Sequence, residues 1–336
     1  MLFRSIEVPQ KYNPKGELID TISTDYLEKY AHTHEVIPLI IRHGSAKKSR
    51  TSYGEEWKKF IHPVTGRIHP DFNQLGAETG RFTVSKPNLQ QIPQSNLYRR
   101  CFNSAEGRSL VWGDYSQMEL RILAEFSQDE NMIKAFTEEL DLHTFTASLV
   151  FNVPYDKVSE NKILRVRAKN LNFGIVYGIG AKRFSENANI SLSEAETIIK
   201  NYFKTYPKVE QWLEWARSEA IRYRRSRTLS GRLMTHTFPE DDKKMAALAG
   251  RNGMNMPIQG SNADITKIAM SKIHNDLDDL IDLSNVVHDE AIGECDDDKL
   301  YIGKPKMQEC LVSAGEVLMK HVPVKVDMKV DKKWSK

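Results

Sequence analysis

The sequence predicts an α+β fold, an antiparallel sheet with helices packed on one side. Three observations predict it. Residues 109–115 (SLVWGDY) form a short, largely apolar run that reads as a strand. Residues 286–295 (VVHDEAIGEC) read as a β-hairpin, with Val286 and His288 on one face and Val287 on the other. Beyond its acids, Ala291, Gly293 and Cys295 alternate with Ile292 and Glu294, so Asp289 and Glu290 stand at the tip. Residues 322–330 (VPVKVDMKV) alternate apolar residues with polar ones or Pro323, as a half-buried strand does. Helical patterns fill the chain between these strands.

The elements follow in chain order. Residues 8–20 (VPQKYNPKGELID) are polar and turn-rich and read as a loop. Residues 24–44 (TDYLEKYAHTHEVIPLIIRHG) read as one helix, capped by Thr24 and stopped by Gly44. Residues 51–93 carry many Gly, Pro, Asn and Thr residues and predict loops and short strands. After the strand at 109–115, Met118, Ile122 and Phe126 recur every four residues, a helical spacing. Ser191 and Glu194 fit a capping box that opens a helix through Tyr202. Residues 207–225 predict another helix, with Pro207 in its first turn. Residues 259–277 and 306–321 predict two more.

Composition narrows the class. The chain has 336 residues, enough for a sizeable core and for two or three domains or one large domain with subdomains. The net charge of +3 does not by itself announce nucleic acid, so local charge must be read instead. Cys101, Cys295 and Cys310 are odd in number and lack zinc or redox spacing, which points to a reducing compartment. No apolar run suits a membrane span, and the first ten residues lack the core of a secretory signal. An intracellular, cytoplasmic protein is expected, with an organelle as the alternative location.

Two constellations carry chemistry. Asp114 ends one strand and Asp289 sits on a hairpin tip, so pairing of those strands makes the carboxylates converge. Two such acids need a cation between them, and oxygen-only ligands suit magnesium with substrate phosphates. A pair of ions fits in-line phosphoryl transfer; a solvated pair of surface acids is the plain alternative. The second constellation is residues 165–178 (RVRAKNLNFGIVYG). Arg165, Lys169, Phe173 and Tyr177 are spaced by four and drift by roughly 40° per step around a helix. Cations suit a triphosphate and a ring suits a base or sugar. The alternative is a helix with a solvated basic end and an aromatic end in the core.

Together these segments resemble a known family. Residues 114–121 (DYSQMELR), 165–178 and 287–290 (VHDE) resemble motifs A, B and C of family A DNA polymerases, the bacterial DNA polymerase I type. Residues 79–93 (TGRFTVSKPNLQQIP) and 251–264 (RNGMNMPIQGSNAD) resemble two further segments, all five in the family's order. The resemblance implies a right-hand polymerase fold with an antiparallel palm sheet. Residues 1–62 would be a thumb remnant, 63–128 and 258–336 the palm, and 129–257 the helical fingers. It implies two magnesium ions on Asp114, Asp289 and the Tyr115 carbonyl, with Glu290 and Lys169 in supporting catalytic roles. Glu119 would exclude a ribose 2′-hydroxyl. Gln117, His143, Arg165 and Lys169 would meet the incoming nucleotide, with Phe173 on its sugar and Tyr177 near the template base. Arg81 and Gln259 would check the minor groove, whose acceptors all correct pairs share. Arg251 and Asn255 would support the template, His288 the primer terminus, and Asn88 and Gln90 the duplex. The implied reaction is DNA-templated addition of dNTPs to a primer 3′-hydroxyl.

Some positions depart from the family pattern. Gln91 replaces Asn, Val286 replaces Gln, and AIGEC at 291–295 replaces a more apolar run. Only the end of a thumb fits ahead of residue 62, where Lys47, Lys48, Arg50 and Thr51 suit phosphates. The expectation is a fragment, or one piece of a split enzyme that needs a further N-terminal chain or a processivity factor. If the chain acts alone, low processivity and no proofreading are expected. Residues 217–232 place six arginines in sixteen residues, read either as a solvated helix face or as a template contact. Two other readings are a phage-type single-subunit RNA polymerase, which Glu119 and Glu290 oppose, and a non-catalytic DNA-binding remnant.

Overall fold

The computed structural model describes residues 10–12, 18–20 and 23–335. Contacts divide the chain into two compact units, residues 1–71 with 85–88, and residues 72–84 with 89–336.

In the first unit, β1 (Gln10–Tyr12) and β2 (Leu18–Asp20) form an antiparallel ribbon where the sequence predicts a loop. The other positions of that predicted loop lie outside the described residues. The predicted helix over 24–44 is two helices, α1 (Thr24–Leu27) and α2 (Val36–Tyr53), and Ser23 rather than Thr24 takes the cap position. The break has a local cause. Thr33 donates its hydroxyl to the Tyr30 carbonyl at 2.8 Å, and His34 Nδ1 accepts the Val36 N–H at 3.1 Å. Side chains thus satisfy groups that a continuing helix would use. Gly44 does not stop α2, because one glycine costs only about 1 kcal/mol among good helix formers. Gly54 ends it instead: a Cβ there would lie 2.3 Å from the Arg50 carbonyl oxygen.

A ribbon of β3 (Asp71–Asn73) and β4 (Thr83–Ser85) precedes α3 (Asn96–Arg99), which Ser95 caps. The second unit then runs through β5 (Arg108–Tyr115), α4 (Met118–Ser127), α5 (Glu130–Thr137), α6 (Leu142–Phe151), α7 (Tyr155–Glu160), α8 (Lys162–Val176), α9 (Ala181–Ala188), α10 (Leu192–Thr205) and α11 (Pro207–Arg222). It continues with β6 (Arg225–Arg227), β7 (Leu233–Thr235), α12 (Lys243–Leu277), β8 (Asp282–Val287), β9 (Glu290–Asp296), α13 (Leu300–Leu318) and β10 (Val326–Asp331).

The central sheet is antiparallel in the order β10-β5-β9-β8. Its alternation sends Val111, Tyr115, Ala291 and Cys295 into one core cluster with Met307, Leu311 and Ala314 of α13. Gly113 belongs to that face, where a Cβ would meet Leu311 at 2.4 Å and Met328 at 2.7 Å. On the other face Trp112, Ile292 and Glu290 are buried without that cluster, and Trp334 covers Glu290. Helices therefore pack on one side, as the sequence predicts, and the chain beyond β10 closes over the other.

Several element boundaries differ from expectation; α13, for one, spans Leu300–Leu318 rather than 306–321. α12 begins at Lys243 rather than Gln259, and its 35 residues contain Pro257. The breakers within it answer to packing. A Cβ on Gly253 would lie 2.2 Å from the Ala220 Cβ, so the glycine lets α12 lie directly on α11. α12 also runs across the boundary expected at residues 257 and 258. β10 begins at Val326 rather than Val322, because Glu125 gathers the N–H groups of Lys320, His321 and Val322, each at 3.0 Å. The helix predicted over 207–225 ends at Arg222, and Arg225–Arg227 pairs with β7. Four of the six arginines in that run, Arg224, Arg225, Arg227 and Arg232, therefore lie beyond the helix rather than on one helix face.

One carboxylate joins two helices. Asp129 caps α5 by accepting from Asn131 and Met132, and it also accepts the Lys208 N–H in the first turn of α11. Asp129→Ala leaves both helix starts unsatisfied, so a loss of about 2–3 kcal/mol in unfolding free energy is expected. Chemical denaturation measures it; a loss below about 0.5 kcal/mol would contradict the double capping.

Candidate functional site

The register of β5 and β9 assembles the acids. Asp114 pairs across the ladder with Glu290, and Asp289 occupies the two-residue turn between β8 and β9. His288, the other turn residue, takes a left-handed φ of 58°. Burial, and then the Asp114 charge, pushes the Asp289 carboxyl up to about 7. Such crowding is what a cation would relieve. Tyr115 turns its side chain into the core, where its hydroxyl donates to the Leu311 carbonyl at 2.7 Å, so only its main chain can serve at the acid corner. Glu290 is not at the exposed tip. It is buried, bound by Arg99 and Trp334.

Glu119, in the first turn of α4, is 9% exposed and ties three elements together. Arg81 forms an ion pair with one of its oxygens, and the Tyr177 hydroxyl donates to the other at 3.0 Å. Gln259 of α12 hydrogen-bonds to Tyr177. Arg251 passes close to Gly178, and Arg251, Asn255 and Gln259 lie one turn apart along α12. Gln117 precedes α4 with a φ of 55°, and its Oε1 is buried with no protein partner. The Asn255 Nδ2 is in the same condition. Burial lowers the pKa of His288, and nearby Arg81 lowers it further. Arg81, Glu119, Tyr177, Gln259 and His288 therefore form one neighbourhood around Asp114 and Asp289, a convergence that the separate motifs do not reveal.

The stripe on α8 holds, with one adjustment: Tyr177 is the residue after the helix rather than its last turn. Tyr177 is 48% exposed, whereas Phe173 is partly buried and packs against the main core cluster. Lys169 is exposed. Arg165 is held from two sides by Asp141, at 3.1 and 2.7 Å. Asp141 also caps α6 by accepting from Thr144. Burial alone would raise the Asp141 carboxyl, but Arg165 and Thr144 outweigh it and hold it at about 2. His143 lies beneath, buried, its ring 5.7 Å from that of Phe173. Its Nδ1 pairs with Asn172 Nδ2 at 3.1 Å, which leaves Nε2 as the group that could meet a ligand. Burial pulls the His143 pKa down to about 4, with Arg165 and Lys169 adding to the shift. His143 is thus a neutral hydrogen-bonding group at pH 7, not a cation.

Other expected residues have local partners of their own or belong to the first unit. Lys47, Lys48, Arg50 and Thr51 occupy the last turns of α2 in the first unit, and Asn88 belongs to that unit too. The Thr51 hydroxyl is turned back to the Lys47 carbonyl at 2.9 Å. Gln90 donates to the Val286 carbonyl at 3.3 Å, so it braces the hairpin. Asp141, Arg99, Asn172 and Trp334 escape sequence reasoning. Asp141 had a signal, since it stands two residues before His143. The others had none, because their partners are remote in sequence.

The donor set fits a magnesium site of the open kind. Its donors would all be oxygen; among the described residues no group of three or more His, Cys, Asp or Glu side chains could hold a metal. Two carboxylates and a main-chain oxygen leave room for substrate phosphates.

Known proteins are similar to this chain along nearly its whole length. The family model described as DNA polymerase family A matches residues 1–336. The chain is 36% identical over 320 residues to thermostable DNA polymerase I of Thermus aquaticus, covering 93% of this chain and 38% of that protein. It is 36% identical over 342 residues to DNA polymerase I of Geobacillus stearothermophilus, covering 98% and 38%. The chain thus spans less than half the length of these relatives. A solved structure, the POL domain of Pol1 from M. smegmatis in complex with DNA primer-template and dNTP, is similar with a TM-score of 0.89 and 30% identity. That match covers 99% of this chain and 59% of the other.

His143 gives a pH prediction. Its folded pKa of about 4 lies below the ordinary value of 6.5, so between those values the unfolded chain binds more protons. Its contribution to stability is complete above pH 6.5 and falls as pH drops toward 4. The stability difference between the wild type and His143→Phe should therefore shrink from pH 7 to pH 4.5. A difference that is constant with pH would contradict the neutral ring.

Proposed function

The chain belongs to DNA polymerase family A, and from that premise we propose that it is a DNA-templated DNA polymerase. It adds dNTPs to a primer 3′-hydroxyl and releases pyrophosphate. The observation that carries this reading is the register that sets Asp114 against Glu290, with Asp289 beside them. Asp114, Asp289 and the Tyr115 carbonyl would hold two magnesium ions. When bound, these ions supply charge neutralisation at the attacking and leaving oxygens.

The chain's own groups do the rest. Lys169 and Arg165 bind the triphosphate, Arg165 in a direction already set by Asp141. His143 donates a neutral hydrogen bond, and Gln117 supplies a further polar contact. Phe173 packs on the sugar. Glu119, fixed by Arg81 and Tyr177, fills the space that a 2′-hydroxyl would need. Arg81 and Gln259 check the minor groove at the growing end, with His288 at the primer terminus. Arg251 and Asn255 support the template. Lys48, Arg50, Thr51, Asn88 and Gln90 serve the duplex, which phosphate contacts position. In this reading residues 1–62 are a thumb remnant, 63–128 and 258–336 palm, and 129–257 fingers. The protein works in the cytoplasm, with DNA.

Primer extension with magnesium tests the reading. dNTPs should be incorporated, chelation should abolish the activity, and Asp289→Ala or Asp114→Ala should lower it on the order of a thousandfold. Binding of primer-template without extension would instead favour a non-catalytic remnant. Glu119→Ala should admit rNTPs, raising their use relative to dNTPs by roughly a hundredfold or more. An unchanged ratio would remove Glu119 from sugar selection.

A further inference from the structure

We propose that Arg99 and Trp334 are positioning residues that take Glu290 out of the set of acids available to cations. They leave Asp114 and Asp289 to act as a pair. The proposal rests on the polymerase reading of this site.

Glu290 stands opposite Asp114 across the ladder and next to Asp289 in the chain. Glu290 is neutralised by the protein. Arg99 Nη1 lies 3.3 and 3.2 Å from its two oxygens, and Trp334 Nε1 donates to Oε1 at 3.1 Å. The three residues are 7%, 5% and 2% exposed, so water does not compete. The clamp is itself clamped. The Arg99 guanidinium carbon lies 4.0 Å from the centre of the Trp334 ring. Phe102 meets that ring edge-on at 6.0 Å and accepts the Trp334 main-chain N–H at 3.0 Å.

Stability does not explain this arrangement. A buried ion pair contributes little beyond what packed apolar side chains of the same volume would give. Here it even leaves the Arg99 Nε buried without a partner. What the pair does supply is a fixed charge. Arginine stays protonated throughout the working pH range. Glu290 is therefore neutralised whether or not a cation is present, and it cannot swing toward one. The same contacts hold the first residue of β9, and with it the main chain that carries Asp289.

The test uses the full chain and manganese as the probe. Equilibrium manganese binding to metal-free protein is measured for the wild type, Arg99→Met, Trp334→Phe and Arg99→Met with Glu290→Gln. Arg99→Met releases a third acid, so binding should tighten roughly threefold or more, because affinity follows the charge count of the ligands. The double variant should return to the wild-type affinity. In primer extension, Arg99→Met should lower kcat about tenfold or more while the KM for dNTP changes less than about twofold. Trp334→Phe keeps the ring and loses the donor, so it should move both readouts the same way by less. If Arg99→Met does not fold, Trp334→Phe decides alone. Manganese affinity unmoved in a folded Arg99→Met or Trp334→Phe variant would overturn the proposal. So would a double variant that binds as tightly as Arg99→Met. A wild type that never extends a primer would remove the polymerase reading, while the manganese measurements still test the clamp.

Discussion

The site depends on the register in which β5 meets β9. Side chains alternate across a strand, so a slip of one residue would send Asp114 to the helix-covered face and bring Tyr115 out. The register is locked from that face. Gly113 admits Leu311 and Met328 where any side chain would collide, and Tyr115 anchors its hydroxyl on the Leu311 carbonyl. The core thus decides where the acids stand, and the acids sit on the side the core does not use.

Around that corner the protein sets charged groups against fixed partners rather than leaving them free. Asp141 directs Arg165, Arg81 and Tyr177 direct Glu119, and Arg99 with Trp334 direct Glu290. Each holder reaches the site from a different part of the chain. Holding a group in place before a ligand arrives lowers the ordering cost at the moment of binding. Beneath α8, His143, Asn172, Thr146 and Tyr206 form a continuous buried polar chain. Its members satisfy one another, and it fastens α8 to α6 and to the start of α11. A network of this kind specifies one packing.

α12 shows how far packing can override local preference. A stretch with three glycines and a proline reads as a sequence of interruptions, yet it forms the middle of a 35-residue helix. Gly253 and Gly260 are there because Ala220 and Thr228 come too close for a Cβ. The result is a single rigid element that carries Arg251, Asn255 and Gln259 one turn apart, with Gln259 reaching Tyr177.

What the sequence determined by itself was whatever local periodicity or a contiguous motif encodes. The strands around Asp114 and Asp289, the cap at Ser191, the stripe from Arg165 to Tyr177 and the two acids were all legible. Each depends on residues a few positions apart. Tertiary structure alone decided the rest. Helix ends moved where a distant partner supplied or blocked hydrogen bonds, as Glu125 does for residues 320–322. The charge state of His143 followed from its burial, which no local pattern records. Arg99 and Trp334 meet Glu290 across 191 and 44 residues of chain. Such pairs are chosen by the fold, because the energy of a buried charge depends on what surrounds it in space and not on what precedes it in sequence.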